Sequence, residues 1–79
     1  MIARNARATR AAQRRRQVDV AEAAGISRSV LSLIESGERR ITMEDVRALC
    51  AGLGVTLPDL LVGADREDLA VLGVIPRNP

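Results

Sequence analysis

The stretch from residue 17 to residue 37, QVDVAEAAGISRSVLSLIESG, contains two short helical patterns separated by a glycine. Gly25 suits the C-terminal cap of the first pattern, because glycine adopts the left-handed conformation without a Cβ penalty. Ser27 suits the N-cap of the second pattern, because its hydroxyl can accept from a backbone N–H two or three residues later. The stretch therefore predicts helices at residues 17–24 and 28–36, joined by a short turn.

The small and apolar residues of this stretch have the spacing of a helix-turn-helix. They are Val20, Ala21, Ala24, Gly25, Ile26, Leu31 and Ile34. Ala21 has to be small because the helix at 28–36 crosses over it, and the larger apolar residues hold the two helices at a fixed angle. The residues that point away from this apolar face are Ser27, Arg28, Ser29, Ser32 and Leu33. The pattern thus leaves one face of the helix at 28–36 open to solvent.

Three further helices are predicted outside this stretch. Residues 3–13 are rich in alanine and arginine and contain no glycine or proline, which favours a helix. Thr42 is an N-cap for a helix that Gly54 ends. Thr56 begins a last short helix, which has Pro58 in its first turn. The residues predicted to face inward from the last two helices are Val46, Leu49, Cys50, Leu53, Leu60 and Leu61.

The composition limits the chemistry of the chain. Its 79 residues include one cysteine and no histidine, which excludes an internal disulfide, the usual Cys/His zinc sites and any nucleophile paired with histidine. Cys50 lies at a helix position typical of core residues, and the adjacent Glu44 and Asp45 do not converge as an acid–base pair. We therefore expect no enzymatic activity, no metal and no cofactor.

Neither a membrane span nor a signal peptide is predicted. The longest apolar run, residues 69–76, is far too short to cross a bilayer. The arginine-rich start lacks the apolar region that a signal peptide requires. We therefore expect a cytoplasmic protein.

The charge is distributed unevenly along the chain. Residues 1–40 contain nine arginines and four acidic residues, a net charge of +5, whereas residues 41–79 contain three arginines and six acidic residues, a net charge of −3. A basic half beside an acidic half is typical of a chain with one anionic partner surface, although solvation alone explains many single arginines.

The motif resembles the helix-turn-helix of the Cro/C1-type, or XRE, family. The matching residues are Gln17, Val20-Ala21, Gly25-Ile26-Ser27 and Glu35-Ser36-Gly37. Residues 42–61, TMEDVRALCAGLGVTLPDLL, resemble the fourth and fifth helices of that family. The resemblance implies a compact, all-α, five-helix, lambda-repressor-like domain over residues 1–62, followed by a tail at residues 63–79. It also implies a structural ion pair between Arg10 and Glu35.

The chain departs from the family pattern at three places. Arg16 stands where a serine or threonine usually caps the helix at 17–24, so we expect that helix to fray at its start. Ala6 and Thr9 occupy apolar positions of the first helix, and Arg15 stands where an apolar loop residue is common.

The resemblance implies that the helix at 28–36 enters the major groove of double-stranded DNA. Arg28 is the expected base reader, because its planar guanidinium can donate two hydrogen bonds to one guanine. Ser29 and Ser32 can bond base edges or phosphates, and Leu33 can contact a thymine methyl group. A solvated arginine is the alternative for Arg28, but a cation at a helix N-terminus is mildly unfavourable, which favours an external anion.

Affinity is expected from contacts with phosphates. The candidate residues are Gln17, Ser27, Arg39, Arg40, Thr42, Arg14, Arg15 and Arg16. For the run of three arginines at residues 14–16, a solvated loop is the alternative. Each arginine that neutralises a phosphate should steepen the salt dependence of binding by nearly one unit.

The family commonly acts as homodimers on two-fold operators, and we expect the same here. Candidate interface residues are Leu57 and Pro58, taken as exposed, with Leu69 and Leu72 in the apolar tail. The predicted function is therefore a sequence-specific DNA-binding regulator, of repressor or controller type, from a bacterium or phage. The alternative is an antitoxin or protein-interaction module that binds a partner protein through the tail.

Overall fold

A computed structural model describes residues 2–62 of the chain. This part contains five helices and no strand: α1 (Ile2–Ala12), α2 (Gln17–Ala24), α3 (Arg28–Ser36), α4 (Met43–Leu53) and α5 (Leu57–Leu60). The all-α, five-helix fold is confirmed, and α2 and α3 have the predicted bounds. The expected bounds of the first helix were one residue too late at each end.

The helix ends follow from local capping residues. Gly25 and Gly37 have φ of 73° and 80°, the left-handed conformation that ends α2 and α3. Ser27 Oγ accepts from the Val30 N–H at 3.1 Å. At the start of α4, Thr42 Oγ1 accepts from the Asp45 N–H at 3.1 Å, and the Asp45 carboxylate accepts from the Thr42 N–H at 3.0 Å. This reciprocal capping box fixes the first turn of α4.

The C-terminal end of α1 uses a non-glycine residue in the left-handed conformation. The chain leaves α1 through Arg14, whose φ of 55° makes it the one non-glycine residue with positive φ in the described part. The Arg15 N–H donates to the Arg10 carbonyl and the Arg14 N–H to the Ala11 carbonyl, at 3.2 and 3.0 Å. These two bonds form a Schellman motif, in which glycine usually occupies the left-handed position.

The core contains aliphatic side chains from all five helices. Its buried members are Ile2, Ala6, Val20, Ala21, Leu31, Ile34, Val46, Leu49, Leu53 and Leu60. The crossing of α2 and α4 depends on Gly52, because a Cβ there would lie 2.7 Å from the Ala24 Cβ and 3.0 Å from the Val20 carbonyl oxygen. Cys50 and Leu61 are half-buried and pack against the same core.

Polar side chains of the N-terminal segment connect distant parts of the chain. Asn5 Nδ2 donates to the Leu60 carbonyl at 2.8 Å, which joins α1 to α5. Gln13 Nε2 donates to the Leu53 carbonyl at 2.8 Å. These side chains satisfy carbonyl groups at the ends of α4 and α5 that no helical N–H can reach.

Candidate nucleic-acid interface

Helix α3 has one buried face and one exposed face. Leu31 and Ile34 are fully buried in the core. On the opposite side, Arg28 and Ser29 are exposed, and Leu33 has 42% of its surface accessible. We call these three residues the open face of α3. Ser32 was expected on the same face, but it is half-buried and so exposes a smaller fraction of its surface than these three residues.

Arg28 is exposed at the first position of α3. Its guanidinium makes no hydrogen bond or ion pair with any residue between 2 and 62. No acidic residue lies in the first turn of α3, so nothing in that turn offsets a cation at the positive end of the helix dipole. The fold therefore presents an unneutralised, bidentate hydrogen-bond donor beside the turn of the helix-turn-helix.

A second arginine has the opposite environment. Arg10 Nε donates to Glu35 Oε2 at 2.7 Å, and Arg10 Nη2 donates to Glu35 Oε1 at 2.9 Å. Gln17 Nε2 donates to the same Oε1 at 3.0 Å. We call Arg10, Gln17 and Glu35 the ion-pair network. It joins α1, the start of α2 and the end of α3, and so it fixes the orientation of α3.

The network lowers the pKa of the Glu35 carboxyl. Burial alone would raise the pKa of Glu35, whose side chain is only 4% exposed. Hydrogen bonds from Arg10 and Gln17, followed by the charges of Arg10 and Arg7, outweigh burial and hold the pKa below its ordinary value.

The structure brings several predicted phosphate contacts to helix ends. Ser27 is the N-cap of α3 and Thr42 is the N-cap of α4, so their side-chain oxygens already accept backbone hydrogen bonds. Gln17 is the first residue of α2, and its amide nitrogen is bound to Glu35. All three lie where backbone N–H groups at helix N-termini are available to an anion.

Arg39 and Arg40 are adjacent but have different surroundings. The Arg39 guanidinium donates from Nε and Nη2 to the Asp45 carboxylate, at 3.3 and 3.2 Å. Burial would raise the pKa of Asp45, but the bonds from Arg39 and the Thr42 N–H lower it below its ordinary value. Arg40 is exposed and has no hydrogen-bond partner within residues 2–62. Of the two, Arg40 has the unneutralised charge.

The three arginines between α1 and α2 also differ. Arg15 Nη1 donates to the Gly52 carbonyl at 2.7 Å and to Gln13 Oε1 at 3.2 Å, which binds this loop to the end of α4. Arg16 is the N-cap of α2 without a side-chain cap, and it forms an exposed ion pair with Asp19 at 3.0 Å. The Arg14 side chain is exposed and makes no such contact in the described part.

One expected interface residue is placed differently by the structure. Leu57 was expected to be exposed, but it is half-buried against the core because the short helix α5 lies on α4 and α1. Pro58 is exposed. The other two expected interface residues, Leu69 and Leu72, lie outside the described residues.

Cys50 is poorly suited to nucleophilic chemistry. Burial raises the pKa of the Cys50 thiol, and the charge of Asp59 raises it further, which lowers the thiolate fraction.

Within residues 2–62, no cluster of three or more cysteine, aspartate and glutamate side chains is suited to hold a metal ion. None of the helices described here is long and apolar enough to cross a membrane.

Two positioning residues were missed at the sequence level. Gln13 and Gly52 bring the loop after α1 against the end of α4, through the Gln13 amide and the Gly52 carbonyl. The sequence offered only a weak signal for this contact, because Gln13 and its partner Leu53 lie 40 residues apart in the chain.

The family comparison agrees with this geometry. The model of the helix-turn-helix family matches residues 7–60, which include α2, α3, α4 and α5 in full and the last part of α1. Searches of curated proteins and of solved structures found no match. The family match supports a DNA-binding transcription regulator in general terms. With more than half of its residues matched, the chain belongs to the Cro/C1-type helix-turn-helix family.

Proposed function

We propose that this protein is a sequence-specific transcription regulator that reads the major groove of double-stranded DNA with the open face of α3. The observation that supports this most strongly is Arg28, an exposed guanidinium at the start of α3 that no described residue neutralises. Its planar donors fit O6 and N7 of one guanine, a contact worth roughly 1 to 3 kcal/mol of base discrimination. Ser29 and Ser32 assist as hydrogen-bond donors, and Leu33 contacts a thymine methyl group.

The phosphate backbone is bound on both sides of α3 in this proposal. At the starts of α2 and α3, the first backbone N–H groups and the side chains of Gln17 and Ser27 face one strand. Arg40 and Thr42, which follow α3, bind the other strand. Arg39 contributes mainly through Asp45, by holding the loop that carries Arg40.

The loop before α2 is assigned in the same way. Arg14 and Arg16 contact phosphates directly, because Arg14 has no described partner and the Arg16–Asp19 pair is exposed to solvent and weak. Arg15 positions the loop and does not itself bind phosphate, because its guanidinium donates to the Gly52 carbonyl and so holds this loop against α4.

The proposed active species is a homodimer that acts as a repressor or controller on a two-fold operator. A dimer places two copies of α3 about one helical turn apart, which matches successive major grooves on one side of the duplex. Among the described residues, the exposed Pro58 is the candidate for the interface. Leu57, which is half-buried against the core, supports it. Leu69 and Leu72 of the tail are proposed to extend it.

Selection from a random duplex pool tests this function directly. Purified protein is incubated with the pool at two salt concentrations, and the bound sequences are determined. A two-fold motif with a guanine in each half, bound with a steep salt dependence, is the expected result. Sedimentation of the complex should give two protein chains per duplex. A bound pool without any enriched motif would contradict sequence-specific regulation.

A further inference from the structure

Helix α1 has an exposed face that carries positive charge only. Arg4 and Arg7 are exposed and three residues apart, so they lie on neighbouring positions of one helix face. Arg14 follows just beyond the end of α1 and is exposed as well. We call Arg4, Arg7 and Arg14 the arginine stripe. The sequence of α1, IARNARATRAA, contains no acidic residue.

The fold gives these three arginines no directly bonded acidic partner among residues 2–62. None of the three guanidiniums forms a hydrogen bond or ion pair with another residue in the range 2–62, whereas Arg10 on the same helix is held by Glu35. Like charges three or four residues apart on a helix are destabilising by a few tenths of a kcal/mol per pair. Arg4 is also near the positive end of the α1 dipole, where a cation is unfavourable. An external anion would relieve both effects.

The arginine stripe is continuous with the proposed DNA interface. The charge of Arg7 acts on the Glu35 carboxylate, to which Gln17 at the start of α2 also donates. Arg14 lies in the loop that enters α2, three residues before Gln17. Glycine would adopt the left-handed conformation at residue 14 with less strain, so the backbone geometry does not explain why an arginine occupies this position.

We propose that the arginine stripe of α1 binds the phosphate backbone of the duplex beside the groove that α3 reads, and that it enlarges the sequence-independent part of the binding energy. This inference rests on the proposed function. It adds Arg4 and Arg7, on a helix outside the helix-turn-helix, to the set of DNA contacts.

The salt dependence of DNA binding tests this inference. The probe is a random-sequence duplex of about 30 base pairs, roughly three helical turns, because phosphate contacts do not depend on sequence. The variants are Arg4→Gln, Arg7→Gln and the double substitution, since glutamine preserves helix propensity while removing the charge. Each single substitution should reduce the slope of log K against log salt by about 0.9, and the double by about 1.8.

Arg47→Gln is the matched control. Arg47 is an exposed arginine on α4 that, within residues 2–62, also lacks a partner, but it does not belong to the arginine stripe. Its substitution should change the slope by clearly less than Arg7→Gln does. Thermal unfolding should show all these variants folded, and selection with the double variant should return the same motif as the wild-type protein.

The outcomes separate this inference from the proposed function. If the wild-type protein selects a motif but the Arg4 and Arg7 variants keep its salt slope, Arg4 and Arg7 are not DNA contacts, and the proposed function stands. If Arg47→Gln reduces the salt slope equally, the effect comes from the net charge of the protein, and the proposed role of the arginine stripe is wrong. If the wild-type protein binds no duplex at all, both proposals fail.

Discussion

Arg10 and Arg28 carry the same guanidinium group in opposite surroundings. In the ion-pair network, Arg10 donates twice to the buried Glu35 carboxylate and its side chain is 18% exposed. On the open face of α3, Arg28 is exposed and lacks a partner among residues 2–62. The two regions lie on elements that pack together, α1 and α3. Residue type alone therefore does not assign an arginine to structure or to recognition.

The difference has an energetic basis. A buried carboxylate has lost its hydration and needs the paired cation, so removing Arg10 leaves an uncompensated charge in the interior. An exposed guanidinium keeps its hydration, and removing it costs the folded protein little. The structure thus separates arginines whose loss should affect folding from arginines whose loss should affect binding.

The largest expected effect is on stability, from Arg10→Ala. This substitution should lower the free energy of unfolding by about 3 kcal/mol, because Glu35 remains buried without its cation. Urea unfolding monitored by circular dichroism measures the change. Arg28→Ala is the matched control and should stay within about 0.5 kcal/mol of the wild-type value. Similar losses in both variants would remove the distinction between the two regions.

Arg28→Ala should instead weaken binding to the selected operator. We expect a loss of roughly 1 to 3 kcal/mol, because two hydrogen bonds to a guanine disappear. Fluorescence anisotropy with the operator and with a duplex altered at that guanine gives the discrimination. Arg28→Lys keeps the charge but lacks the planar fork, so it should retain the salt slope and lose base selectivity. Full discrimination by the alanine variant would exclude Arg28 as the base reader.

Acid should weaken the ion-pair network and so lower the free energy of unfolding. The pKa of Glu35 is lower in the folded state than in the unfolded chain, so its contribution to stability is fully present above the unfolded-state pKa. That contribution is lost as the pH falls through the lower, folded-state pKa. Unfolding measured between neutral and acidic pH should therefore show declining stability at the acidic end.

The matched variant for the pH experiment is Glu35→Gln. It should be less stable than the wild-type protein at neutral pH, and its stability should depend less on acid. Some acid dependence should remain, because Arg39 and the Thr42 N–H also lower the pKa of Asp45. Identical acid profiles for the two proteins would show that the network does not contribute through the Glu35 charge.

The smallest expected effect is a gain in stability from Arg14→Gly. Glycine accepts the left-handed conformation at this position, and part of that gain is offset by the greater freedom of glycine in the unfolded chain. We expect an increase of roughly 0.5 kcal/mol. The same variant should bind DNA with a reduced salt slope, because a phosphate contact is lost. A decrease in stability would mean that the Arg14 side chain contributes to folding.

Much of the fold was predictable because its signals are local. Gly25, Ser27, Gly37 and Thr42 act on backbone groups within a few residues, so the end of α2, both ends of α3 and the start of α4 follow from the sequence. The apolar spacing of Leu31 and Ile34 likewise predicts which face of α3 is buried. The Arg10–Glu35 contact was expected only from family resemblance, because 25 residues separate the partners.

The candidate site was predictable as a surface but not as a set of roles. The sequence placed eight residues together as phosphate contacts without distinguishing them. The structure shows that Arg15 donates to the Gly52 carbonyl, 37 residues away, and that Arg39 donates to Asp45. It also packs Leu57 against the core instead of leaving it exposed. Such contacts depend on how distant elements meet, which local patterns do not specify.

The sequence by itself determined the order of the helices, the ends of α2 and α3 and the buried face of α3, because capping and amphipathic spacing act over one or two helical turns. It also determined the family, through the residues of the motif. Only the tertiary structure decided which arginines of the described part are neutralised inside the protein and which are presented to solvent. The physical reason is that a charge is compensated by whatever group the packing of helices brings within hydrogen-bond distance, and that group is often dozens of residues away.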